Sequence, residues 1–117
     1  MILPHHPDRP EWPGLAIGYW RVNDPLERRY ATRPDVPFRP QDFVDPSWDA
    51  TERDLVIAYL ERGRVKDSWR GSSSCRICGC RNGSTCLTDG TYTWPQGFAH
   101  YLRQHQVRPP AWLVLPR

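Results

Sequence analysis

The tightest constraint on this chain is a spacing. Cys75 and Cys78 are separated by two residues, His100 follows after 21 more and His105 after a further four, giving C-x2-C-x21-H-x4-H. Two thiolates at this separation can converge on one ion from a tight loop. Gly79, directly after Cys78, permits the return that a side chain would obstruct. Two imidazoles three to five residues apart on a helix can reach the same ion, with a loosened last turn at the wider spacings. Both pair spacings fit a two-Cys, two-His zinc finger, whereas the central 21 is well above the usual value of about 12. Two sulfurs and two imidazole nitrogens in a tetrahedron suit Zn²⁺ and fill its coordination sphere.

The residues between the two pairs predict how they meet. "TCLTDGTYTW" reads as two short strands joined by a two-residue turn at Asp89-Gly90. Pro95 stands where the first residue of a helix belongs, and Phe98, Tyr101 and Leu102 then fall on one face. Upstream, "DPSWDATERDLVIAYLERG" predicts a helix with Asp49 as N-cap and Glu52 completing a capping box. Leu55, Val56, Tyr59 and Leu60 form its apolar face, and Gly63 stops it in the left-handed conformation. "RVKDSW" is a strand leading into the cysteines. Trp94, Phe98 and Tyr101 should pack beneath the ion and against the Leu55/Tyr59 helix, because the second helix is too short to stand alone.

Before residue 47 the pattern changes. Nine of the 13 prolines lie in residues 1–46, and each fixes φ and removes a donor. This predicts an extended arm, with "LAIGYWRV" as its one short strand. Its apolar side chains, Trp12 and Trp20 among them, are too many for a disordered tail. The expected fold class is small α+β: a zinc-stabilised knuckle, β-hairpin and helix preceded by one amphipathic helix. The Pro-rich arm spans residues 1–46 and a single compact domain spans 47–117.

A mean hydropathy of −0.71 in 117 residues predicts a modest core that needs help from a metal or from disulfides. The N-terminus has no basic stretch followed by an apolar run and a cleavage site, and nothing resembles a membrane span. The expectation is therefore a cytoplasmic protein whose clustered cysteines bind metal. A redox use of C-x-x-C would call for a helix N-terminus in a βαβ setting, which the pattern lacks. A competing ligand set, Cys75, Cys78, Cys80 and Cys86, is awkward, because Cys78 and Cys80 would face opposite ways in extended chain. Cys80 and Cys86 remain a free pair or a conditional disulfide across an Asn82-Gly83 turn. His5 and His6 are expected in solvent.

The stretch "RGSSSCRICGCRNG…LTDGTYTWPQGFAHYLRQHQVRPP" resembles a group of short bacterial proteins. These combine a C-R-x-C-G knuckle, an L-T-D-G turn, a W-P-x-G-x-x-H-Y helix start and an H-x-V-R-x-P exit. With the preceding D-P-S-W-D helix start included, the likeness covers roughly residues 46–112, and it is zinc-finger-like. It implies a compact unit with Cys75, Cys78, His100 and His105 as ligands, and it implies no substrate or reaction.

Function must then come from what stays outside the core. Residues 1–63 carry eight arginines against eleven acids, whereas residues 64–117 carry seven arginines and Lys66 against Asp67 and Asp89. The cysteine-bearing half is basic, which suits an anionic partner. Partner-binding residues are expected at Arg64, Lys66, Arg70, Arg76, Arg81, Arg103 and Arg108, together with Trp12 and Trp20 of the arm. The favoured expectation is a non-enzymatic interaction or regulatory module that engages another protein through the arm and the basic face. The alternative is sequence-independent nucleic-acid binding, since "WPQGFAH" offers only Gln96 for base edges. Four good ligands and the lack of an H-E-x-x-H pattern predict no enzyme.

Overall fold

The computed structural model describes residues 17–21 and 38–109, with the backbone alone for residues 69–72. In chain order they form one turn of 3-10 helix (Pro40–Phe43), helix α1 (Ala50–Glu61), strands β1 (Arg64–Ser74), β2 (Arg81–Thr88) and β3 (Thr93–Pro95), and helix α2 (Phe98–His105). The strands make one antiparallel sheet in the order β1-β2-β3. The class is small α+β. Among the described residues no helix is long and apolar enough to cross a membrane.

Helix α1 begins where its cap dictates, the Asp49 carboxylate accepting the Glu52 N–H at 2.9 Å. It buries Val56, Ile57, Tyr59 and Leu60. Leu55, expected on that face, is 54% exposed. Positions 55 and 57 lie about 200° apart around a helix, so the face that takes Ile57 inward turns Leu55 out. Tyr59 stacks on Trp94 with ring centroids 5.4 Å apart, and the indole N–H of Trp94 donates to the Leu60 carbonyl at 3.2 Å.

That contact also explains Gly63. It is not among the glycines with positive φ, which are Gly18, Gly79, Gly83 and Gly90. A Cβ at position 63 would instead lie 2.7 Å from the Trp94 ring and 2.9 Å from Leu87, so the glycine serves close packing.

The β2–β3 connection has four residues, 89–92, in place of the expected two. Asp89 organises it: Oδ1 accepts the N–H groups of Thr91 and Tyr92 at 2.8 and 2.7 Å, and Oδ2 accepts the Tyr59 hydroxyl. One carboxylate thus folds the loop and ties it to α1. Pro95, expected to start the second helix, ends β3 opposite Cys86. The edge position tolerates its missing N–H, and α2 starts at Phe98. Asn82 and Gly83, expected as a turn, lie inside β2.

Of the N-terminal stretch, residues 17–21 are described, and they are not strand. Ile17 N–H donates to the Thr93 carbonyl at 2.8 Å and Arg21 N–H to the Phe38 carbonyl at 2.6 Å. Ile17 and Trp20 are 0% and 5% exposed. The Trp20 ring lies 5.6 Å from Tyr101 and 6.1 Å from Phe43, centroid to centroid. The expected strand beyond these five residues, and residues 1–14 and 23–37 of the arm, lie outside the described residues, whereas the arm's last stretch, 38–46, carries the 3-10 turn. After α2 the chain is fastened to the 3-10 turn by a Val44–Val107 bridge and by Arg108 N–H donating to the Phe43 carbonyl at 2.8 Å.

Candidate metal centre

Strands β1 and β2 are joined by the knuckle. Cys75 N–H donates to the Cys80 carbonyl and Gly79 N–H to the Cys75 carbonyl, each at 2.8 Å. Gly79 sits at φ 76, and since a Cβ there would meet nothing within 4 Å, it is backbone conformation, and not space, that calls for glycine. The loop folds its own amides toward the sulfurs: Ile77 N–H points at Cys75 Sγ over 3.4 Å, and the Cys80 backbone N–H is the largest influence lowering the Cys78 thiol.

Helix α2 supplies the imidazoles. It ends at His105, with Gln106 at φ 54 closing the last turn. The His100 and His105 rings have centroids 5.2 Å apart and planes inclined by 72°. Cys78 Sγ lies 3.5 Å from His100 Nε2. One potential ligand atom from each of Cys75, Cys78, His100 and His105 lies within 4.8 Å of all the others. The expected set is thus brought together, and the arrangement is compatible with a metal ion.

The donors' chemistry fits one too. Bond lengths of about 2.3 Å to sulfur and 2.0 Å to nitrogen put tetrahedral ligands roughly 3.3–3.8 Å apart, so a small contraction closes the group around an ion. His105 Nε2 is buried without a hydrogen-bond partner, and coordination is one way to satisfy such an atom. The Cys78 thiol is lowered to about 5, first by the Cys80 backbone N–H and then by the His100 side chain. Its sulfur is therefore a thiolate at neutral pH, the form that binds metal.

The other cysteines stay outside this group. All four thiols are free. Cys86 is buried on β2, its sulfur 2.9 Å from the Tyr19 hydroxyl. Cys80 is exposed, and hydrogen bonding to Cys78 and repulsion from its charge push its thiol pKa up.

Tyr101, expected as apolar packing, is a polar component of the site as well. Its ring lies 6.1 Å from that of His100 and 6.5 Å from that of His105. Its hydroxyl accepts the Arg76 N–H at 2.8 Å, and burial, before any other influence, pushes it up to about 12. The available signal was that a buried tyrosine needs a partner for its hydroxyl.

The expected partner-binding residues are scattered in their roles. Arg64, Lys66 and Arg81 are exposed on β1 and β2. Arg103 makes a two-pronged ion pair with Glu61 at 2.9 and 2.7 Å, which lowers the Glu61 carboxyl below its usual range. Arg108 pairs with Asp45 at 3.5 Å. Arg76 Nε donates to the Arg21 carbonyl at 3.1 Å, and Gln41 Nε2 to the Arg76 carbonyl at 2.9 Å. Arg76 thereby joins the knuckle to the N-terminal segment and to the 3-10 turn. Trp20, expected outside, is a core residue, because Phe43, Phe98 and Tyr101 enclose its ring. Trp12 and the Arg70 side chain lie outside the described residues.

No protein-family model matches this chain, and no curated protein or solved structure matches it either.

Proposed function

We propose that this protein is a non-enzymatic zinc-binding module whose ion closes the knuckle against the last helix and so fixes a surface for another protein. The observation that carries the reading is the convergence of two sulfurs and two imidazoles within 4.8 Å of one another. Zinc is favoured over harder ions because thiolate with imidazole suits it, and over a catalytic role because four protein ligands leave no open position. The bacterial, zinc-finger-like resemblance supports the same scaffold role. A competing reading, sequence-independent nucleic-acid binding, draws on the exposure of Arg64, Lys66 and Arg81. It loses weight because Arg103 and Arg108 are matched by carboxylates.

Native mass spectrometry of the full chain, with and without chelator, tests the central claim. The expected result is one zinc per chain, removed together with most of the folded-state circular dichroism. A metal-free protein of unchanged fold would overturn it. Filter binding of DNA and RNA across salt concentrations separates the two readings, since phosphate contacts lose affinity steeply as salt rises.

A further inference from the structure

The Tyr101 hydroxyl lies in the interior, with the residue 4% exposed. It accepts the Arg76 N–H at 2.8 Å, which occupies a lone pair and leaves its own proton to be placed. A buried hydroxyl keeps its proton in a hydrogen bond wherever an acceptor is in reach. The Arg76 amide belongs to the peptide unit that leaves Cys75, so an oxygen bonded to that amide is held over the start of the knuckle. Cys75 is itself buried, 3% exposed, and its sulfur already faces the Ile77 N–H. The Cys75 thiol is near enough to the Tyr101 hydroxyl to be among the groups that push it up, as the bond from the adjoining Arg76 amide requires. A thiolate accepts several hydrogen bonds, and each one draws electron density from the sulfur.

We propose that Tyr101 is a positioning residue for the metal centre: packed beside the rings of His100 and His105, it accepts the Arg76 N–H and donates its hydroxyl proton to Cys75 Sγ, tuning that sulfur as a ligand. The inference rests on the zinc reading above and adds a specific consequence. Two donors converge on Cys75, one from the knuckle's own backbone and one from α2, so the helix that carries both imidazoles also conditions a sulfur. Residues holding a ligand in this way alter metal affinity by about 10–100-fold.

Cobalt(II) is the probe, added to the full chain in place of zinc. The unaltered protein should show tetrahedral cobalt absorption with a thiolate-to-cobalt charge-transfer band. In Tyr101→Phe that band should move to lower energy, because a sulfur relieved of a hydrogen bond gives up electrons more easily. Cobalt affinity should fall about 10–100-fold. Replacing Tyr101 alone with 3-fluorotyrosine, a near-isosteric and more acidic donor, should move the band the other way. A Tyr101→Phe protein that melts earlier but keeps the band and the affinity would show a merely structural role and overturn the proposal. Should Tyr101→Phe fail to fold, an unmoved band in the fluorotyrosine protein overturns it equally. Failure of the unaltered chain to give tetrahedral cobalt is distinguishable from both, since it removes the zinc reading together with the inference built on it.

Discussion

At the scale of single residues, the knuckle distinguishes sulfurs that look equivalent in the sequence. The Cys78 thiol is lowered first by the Cys80 N–H, and its sulfur lies 3.5 Å from His100 Nε2. Cys80, two residues on, is exposed and has its thiol pKa raised by that same neighbour. The loop thus keeps one sulfur as a thiolate and its neighbour protonated. Replacing Cys78 by Ala is expected to abolish stoichiometric zinc and unfold the knuckle-bearing part of the chain, because metal binding energy is folding energy in such sites. Cys80→Ser should keep one zinc per chain and a melting temperature within a few degrees of the parent. Zinc analysis and thermal melts of the two variants check this; zinc lost from Cys80→Ser and kept in Cys78→Ala would assign the ligands wrongly. The clustering of Cys75, Cys78, His100 and His105 was legible because the spacing of each pair is a local property. The Tyr101 hydroxyl was not, because its partners lie some 25 residues away across the fold.

Elements show the same division between local and tertiary causes. The start of α1 could be read from Asp49 and Glu52, since a cap is made and satisfied within one turn. The end of α1 was legible in place but not in cause. Gly63 looks like a left-handed stop, yet its lack of a side chain admits the Trp94 ring, which comes from β3. Pro95 misleads similarly: it suits a first helical turn and an edge strand equally well, and pairing with Cys86 decides between them. Replacing Gly63 by Ala gives this a measurable form. If the glycine served conformation alone at negative φ, Ala would be neutral or stabilising by up to about 1 kcal/mol. The close approach of Trp94 predicts the opposite, a loss of about 1–3 kcal/mol from overpacking, with the Trp94 emission perturbed. Denaturant unfolding of Gly63→Ala decides the sign, and a stabilised variant would refute the packing account.

On the scale of the whole molecule, two devices hold a small domain together. One, on the zinc reading proposed above, is the group of Cys75, Cys78, His100 and His105 that meets where the β1–β2 knuckle faces α2. The other is the aromatic cluster around Trp20, which draws residues 17–21 onto Phe43, Phe98 and Tyr101. They meet at the knuckle, where the Arg76 side chain bonds the Arg21 carbonyl and its backbone N–H bonds Tyr101. Proline density suggested an arm and could not reveal this, since burial of Trp20 depends on partners 23 to 81 residues away in the chain. The magnitudes predict how the devices share the load. Truncating a buried Trp to Ala costs about 3–5 kcal/mol. An ion held at a free concentration 1,000 times its dissociation constant stabilises the folded state by about 4.1 kcal/mol. Those values are comparable, so Trp20→Ala should remain folded at high buffered zinc and need a higher free zinc than the parent to show a cooperative melt. Melts of both proteins along a series of zinc buffers test the balance. A Trp20→Ala protein whose melting temperature ignores free zinc would mean that the ion and the aromatic cluster do not stabilise the same folded unit.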